Sequence, residues 1–318
     1  MRFEELIPQD GIAMRTRSKL RHSISRWMRL GGCESPMDVT TATIASVRAS
    51  GVDSKLSAKT IESTISDVLT LLSLAGRKVD PGRRLRVVVN CKSVPEMECV
   101  EKLYSLSNQW RFPARLRTIS GSFVDVPVEL RESWLKAFVV IGIWTGLRLQ
   151  DLLSLKWGSI SQNRIAWRAS KTSREHRFPM CDVVRSHLEP LKALDRPTVF
   201  GVSGSNPTLI RDELHRVMPV STITPQALRR ASVTTWATVS PEAGRIVHGT
   251  GLGVLRHYYD GEQILRSCAD RFPWPASMLP ADQRDERQRL ANETSLVMSR
   301  LSPERIADVL RVARAFAG

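Results

Sequence analysis

Apolar residues recur at intervals of three and four along most of the chain, the spacing that lays them on one face of a helix. In residues 17–30, Leu20, Ile24, Trp27 and Met28 share a face, Arg17, Arg21, Arg26 and Arg29 fall largely elsewhere, and Gly31-Gly32 follows as a stop. Residues 40–50 repeat the pattern. Residues 57–75 carry the stripe Ile61, Ile65, Val68, Leu69 and Leu72, with Gly76 placed to cap the C-terminus. The pattern then breaks. Asp80-Pro81-Gly82 is turn chemistry, and Arg83, Arg84 and Arg86 precede the extended run Val87-Val88-Val89. These features predict a helical, basic unit over residues 1–88, a linker at 89–92 and a second unit over residues 93–268, followed by an extension at 269–318.

The second unit opens at Ser93-Val-Pro-Glu, a capping pattern that predicts a helix to about residue 110. Residues 128–145 form a long apolar helix stopped by Gly146, and residues 148–155 read as the next helix. Arg164-Ile-Ala-Trp-Arg and Arg177-Phe-Pro-Met flank the polar Ser170-Lys-Thr-Ser-Arg-Glu, which predicts a β-hairpin with a six-residue tip. Helices return at 207–217, 225–237 and 241–247. The fold class is therefore mainly α with a small antiparallel β-sheet (α+β). After Phe272-Pro-Trp-Pro and a charged segment, Ser302 as N-cap and Pro303 at the first helical position mark a terminal helix, with Ile306, Val309, Leu310, Ala313 and Phe316 on one side. That face packs on its own domain or on a neighbouring protomer.

Charge narrows the partner. The 318 residues carry a formal charge of +15, of which +7 lies in residues 1–92 and +7 in residues 93–268. An excess spread over two regions suits a protein that grips a nucleic-acid duplex and gains affinity by releasing counterions. The five cysteines are scattered, with no Cys-x-x-Cys pair, so neither a disulfide framework nor a zinc ribbon is indicated. The longest apolar run, residues 137–147, is about half of the ~20 residues a bilayer span needs, and the first residues lack a signal peptide's apolar core. The expectation is a cytoplasmic protein with no membrane partner and no cofactor.

Several positions carry chemistry. In Thr145-Gly-Leu-Arg148-Leu-Gln-Asp151-Leu-Leu-Ser-Leu-Lys-Trp157, an arginine follows a helix stop and a carboxylate lies three residues on, within reach to orient it. Taken alone, the pair is equally a surface ion pair. Thr224-Pro-Gln226-Ala-Leu-Arg229-Arg230 places a second arginine on a helix, and Ile246-Val-His248 leads to His257-Tyr258-Tyr259, two of the chain's three tyrosines. Gly249-Thr-Gly251-Leu-Gly253 lacks the strand and the spacing of a dinucleotide loop and reads as a turn. Trp134, Trp144 and Trp236 lie on apolar faces and are expected in the core.

In this order and spacing, the segments resemble the tyrosine recombinases, the phage-integrase-like enzymes that break and rejoin DNA. The resemblance rests on residues 145–157, Ser170-Lys-Thr172 on a hairpin, Leu228-Arg-Arg230, and His248 ten residues before Tyr258. It implies that Arg148 and Arg229 clamp the scissile phosphate, two five-donor forks that neutralise charge on its oxygens without a metal. Tyr258 is the implied nucleophile, with Tyr259 the alternative; Lys171 protonates the leaving 5′-oxygen, His248 donates to the phosphate or braces the tyrosine, and Asp151 orients the site. It also implies double-stranded DNA as partner, a tetramer on DNA, and exchange of C-terminal helices between protomers. Arg17, Lys19, Arg21, Arg83 and Arg84 are candidate DNA contacts.

One departure bears on the chemistry. Gln226 stands where the family usually has histidine, and an amide cannot take up a proton near pH 7. Tyrosine activation must then rely on the phosphate, water or another group. The alternatives are a weakly active or purely DNA-binding relative and, from another class, a metal-dependent nuclease or transposase, which needs clustered carboxylates.

Overall fold

The structure is a computed structural model that describes residues 2–12, 14–87, 93–117, 123–170, 175–202, 207–219, 223–248, 261–299 and 301–317. The chain separates into two compact units, Met1–Lys92 and Ser93–Gly318.

The first unit is built on α1 (Met14–Arg29), α2 (Thr41–Asp53) and α3 (Ala58–Leu74). The hydroxyls of Thr40 and Ser57 accept the backbone N–H groups of Thr43 and Thr60, which starts α2 and α3 at those residues. Gly76, at φ 75°, ends α3: the reversal lets the Arg77 N–H reach the Leu72 carbonyl at 2.9 Å. The predicted stripes are the core, with Leu20, Ile24, Trp27, Ile61, Ile65, Val68 and Leu72 all buried, and Phe3 edge-on to Trp27. Polar groups in this core are paired. Arg48 donates to both carboxylate oxygens of Glu62 (2.7 and 3.3 Å) and to the Pro81 carbonyl, while Asp67 accepts from Lys19 (2.6 Å) and Ser23 (2.7 Å).

The second unit runs α4 (Met97–Ser105), β1 (Arg115–Arg117), β2 (Phe123–Asp125), α5 (Val128–Thr145), α6 (Leu149–Leu153), β3 (Arg164–Arg168), β4 (Glu175–Pro179), α7 (Asp182–Leu188), α8 (Pro207–Val217), α9 (Pro225–Val239), α10 (Pro241–His248), α11 (Gly261–Cys268), α12 (Ala281–Ser299) and α13 (Pro303–Ala317). At its centre is α5, whose second half is apolar around its whole circumference; the helix is buried at Trp134, Leu135 and from Ala137 to Thr145. Against it lie α7, α9 and the 3-10 turn after α4. Trp144 joins the layers. Its indole donates to the Pro179 carbonyl of β4, its own carbonyl accepts from the Trp236 indole of α9, and its ring meets those of Trp236, Phe272 and Trp274 at 4.7–5.4 Å. Burial stabilises by roughly 1.5–3 kcal/mol for each fully buried large side chain, and Trp144 and Trp236 are both fully buried.

The hairpin is β3–β4, antiparallel from Arg164↔Pro179 to Arg168↔Glu175. Trp167 stacks on the cross-strand His176 with ring centroids 5.1 Å apart, which stiffens the pair up to its tip.

Several elements differ from expectation. The helix expected from Ser93 begins at Met97 with Glu96 as its N-cap, because Val94 precedes a proline and is held out of the helical region. The sheet is two separate two-stranded sheets, β1–β2 and β3–β4, among the described residues. The charged segment before the terminal helix is itself helical, as α12, and buries none of its described residues. On α13, Ile306 is half-buried, and Val309 and Leu310 are 46% and 44% exposed. Among the described residues, no helix is long and apolar enough to cross a membrane.

Candidate active site

The site starts at the end of α5. Gly146 sits at φ +56°, and a β-carbon there would lie 2.7 Å from Val247 Cγ1 and 2.9 Å from Ser232 Oγ. Only glycine satisfies both the left-handed turn and this close approach to α9 and α10. The reversed chain becomes extended at Arg148, the N-cap of α6, which makes no side-chain cap and leaves its guanidinium free to face outward. Arg148 is 39% exposed, and its Nη1 stands 4.0 Å from Oδ2 of Asp151, whose side chain is 3% exposed. At that distance and exposure the ion pair is weak. The stronger bond of Asp151 is elsewhere: Oδ1 accepts the Ser170 backbone N–H at 2.9 Å, tying α6 to the base of the hairpin tip.

Arg229 comes from α9. Thr224 caps that helix by accepting the Ala227 N–H at 3.1 Å, and Pro225 takes its first position, which sets Arg229 one turn in. The half-buried guanidinium donates to the Gly146 carbonyl, so the glycine turn and the arginine hold each other. Burial, and then the charge of Arg148, bring Arg229 down from 12.5 to about 10, with Asp151 opposing. Arg229 remains charged at neutral pH. Arg148 and the buried Asp151 thus act on the Arg229 charge in opposite directions, and an oxyanion beside the two guanidinium groups would be favoured.

Gln226 is exposed on the first turn of α9, one turn before Arg229. The next arginine, Arg230, turns away and donates twice to the Ser93 carbonyl (3.2 and 3.0 Å), so it braces the start of the second unit rather than joining the pair. His248 is the last residue of α10. Lys171, Tyr258 and Tyr259, and the Gly249–Gly253 turn with them, lie outside the described residues. The third tyrosine, Tyr104, is committed to the fold. His187 Nδ1 meets the Val183 carbonyl at 2.7 Å, so Nε2 accepts the Tyr104 hydroxyl at 2.6 Å, and burial pushes that hydroxyl up to about 12.

Sequence reasoning passed over Ser232, fully buried one turn beyond Arg229, whose hydroxyl finds no partner among the described residues. A serine on the apolar face of a helix was the available signal. Among the candidate DNA contacts, Lys19 is paired with Asp67 and Arg17 donates to the Ile12 carbonyl, while Arg21, Arg83 and Arg84 are exposed. No group of three His, Cys, Asp or Glu side chains is placed to hold a metal ion among the described residues.

The sequence matches no protein-family model and no curated protein. Solved structures do match. A lambda integrase (residues 75–356) dimer bound to a COC′ core site superposes with a TM-score of 0.59 at 18% identity, covering 81% of this chain and 93% of that one. A lambda integrase tetramer bound to a Holliday junction gives 0.57 at 19% identity, over 77% and 74%. The integrase of transposon Tn1549 (residues 82–397), in complex with circular intermediate DNA, gives 0.54 at 16% identity, over 82% and 95%. The chain has the tyrosine recombinase fold.

Proposed function

We propose that the protein is a site-specific DNA recombinase that cuts and rejoins duplex DNA through a 3′-phosphotyrosyl intermediate. The observation that carries this reading is the placement of Arg148 and Arg229 beside the buried carboxylate of Asp151, at the turn that ends the central helix, in a fold shared with integrases bound to DNA. In the proposed reaction both guanidinium groups bind the non-bridging oxygens of the scissile phosphate and stabilise the charge that builds in line displacement. The Tyr258 oxygen forms a bond to phosphorus, the bond to the 5′-oxygen breaks, and Lys171 protonates that oxygen. The tyrosine's energy-conserving ester then allows rejoining without ATP. Gln226 at the start of α9 offers a hydrogen bond but no base, so the phenolic proton passes to water or the phosphate, and cleavage is slow.

Residues 1–88 serve as the helical DNA-binding domain, residues 93–268 as the catalytic domain, and residues 269–318 as a C-terminal extension. The neighbours' DNA-bound dimers and tetramers support assembly as a tetramer on DNA. The exposed apolar positions Leu290, Leu296, Val297, Val309 and Leu310 of α12 and α13 support a contact of that extension with a neighbouring protomer. A protein acting this way resides in the cytoplasm, with the nucleoid DNA.

The test uses duplexes drawn from the DNA flanking the gene, nicked close to the candidate cleavage position so that the cut strand diffuses away, with EDTA present. A protein–DNA adduct on a denaturing gel, lost in Tyr258→Phe and retained in Tyr259→Phe, is expected. Sequence-specific binding without any adduct favours instead a DNA-binding relative, the reading that the exposed Gln226 supports. Cleavage that EDTA abolishes points to metal-dependent chemistry.

A further inference from the structure

The first long helix, α1, carries charge of one sign. Its sequence holds six Lys and Arg residues and no Asp or Glu. Successive helical residues turn by about 100°, so Ser18, Arg21, His22, Ser25 and Arg29 fall in one stripe about 100° wide, opposite the buried Leu20, Ile24 and Trp27. All five are exposed. Beside the stripe, cations are engaged by the unit itself: Arg17 donates to the Ile12 carbonyl, Lys19 pairs with Asp67 at 2.6 Å, and Arg26 donates to Thr64 Oγ1 at 3.2 Å. Arg21 and Arg29 have no such partner among the described residues. His22 is oriented by Nδ1, which lies 2.7 Å from the Ser18 carbonyl.

A helix face that only meets water commonly interleaves acids with bases as i,i+4 pairs. Here no acid offsets the arginines, and the residues between them are short hydroxyls and an imidazole, which let a helix backbone come close to whatever the arginines reach. A helix fits the major groove of duplex DNA, about 12 Å wide, where guanine offers two acceptors to an arginine fork. We propose that α1 enters the major groove with this stripe and that Arg21 and Arg29 read base edges, while Arg17, Lys19 and Arg26 serve the fold. This rests on the recombinase reading and adds to it the residues that choose the DNA sequence. Arg21 and Arg29 stand eight residues apart, about 12 Å along the helix. The two guanines they read therefore lie within about 5 base pairs, half a turn of duplex.

The full-length protein is used to select its preferred duplexes from a randomised pool at fixed salt, and its affinity for the selected site and for each single base-pair change is then measured as a function of salt. The expected site contains two G·C pairs at that separation. Arg21→Ala and Arg29→Ala each lose about tenfold or more of the discrimination at one of the two pairs, keep it at the other, and retain the wild-type salt slope. Both side chains are exposed, and a thermal melt confirms that each variant is folded. The proposal is overturned if the two variants weaken binding to every sequence alike with a salt slope shallower by about 0.9 each, the pattern of phosphate contacts. It is overturned equally if wild type selects no sequence, or if its preference survives both substitutions. The recombinase reading fails separately, when the wild-type protein forms no adduct on the selected duplex nicked along its length.

Discussion

Arg48 in the first unit and Arg229 in the second are both arginines withdrawn from water, and their surroundings differ in how the charge is balanced. Arg48 is matched by a carboxylate of its own, gripped at both oxygens, and by a carbonyl. Arg229 donates to a carbonyl and stands in the field of a second arginine and of Asp151, a carboxylate whose closer bond is to Ser170. A balanced buried charge serves the fold, since removing either partner strands the other. A buried cation placed beside a like charge costs the fold stability and gains a place for an anion.

The strongest way to break this comparison is to exchange the roles. Arg229→Ala is expected to lower adduct formation by about 10²–10³-fold while leaving the thermal midpoint nearly unchanged or raised, as measured on one preparation by gel and by melt. A collapse in stability would mean that Arg229 is a structural arginine like Arg48. Arg48→Ala should do the converse, destabilising the first unit by about 3 kcal/mol in urea and leaving the per-molecule rate of the folded protein alone.

Acid sharpens the same contrast. Burial alone would raise the Glu62 carboxyl, but the bonds from Arg48 and from the Leu85 N–H hold it below its ordinary 4.5. Folded Glu62 therefore binds protons less readily than unfolded Glu62. Its contribution is present above pH 4.5 and is lost as pH falls through the lowered value, a loss that Glu62→Gln should remove from the acid limb of the melt. Gly146→Ala forces a β-carbon into Val247 and Ser232 at a left-handed residue, a cost of about 1–3 kcal/mol that a melt would register. Rescue of that variant by Ser232→Ala would trace the strain to this contact. The smallest effect belongs to Ser232→Ala alone, which removes a buried hydroxyl with no partner among the described residues. It should change stability by under about 1 kcal/mol, in either direction.

Much of the fold was legible because its signals are local. A long apolar run closed by glycine gives α5 its observed limits, and prolines at first positions give α8, α9 and α10 their starts. What escaped notice had weak or contradictory local signals. The three-residue strands β1 and β2 are too short for alternation, α7 is seven residues running into a 3-10 turn with Pro190, and α12 has no apolar stripe to reveal a period. At the site, Arg148 and Arg229 could be named from their motifs, but their shared field arises only when the end of α5 is pressed on α9. Asp151 illustrates the limit well. Spacing of three residues pointed to Arg148, whereas the tighter bond reaches nineteen residues along the chain to Ser170, a backbone donor that no side-chain pattern displays.

The hold of Gly146 on Arg229 has a consequence for how the protein fails when heated. Active sites hung on surface loops commonly fade well before the scaffold melts, because loops open at low free-energy cost. Here the proposed anion-binding pair hangs from the two ends of helices that the Trp144–Trp236 junction locks into the core. Heat should therefore leave the phosphate affinity of the proposed pair intact until the second unit as a whole lets go, so that loss of phosphate binding and melting of that unit follow a single curve.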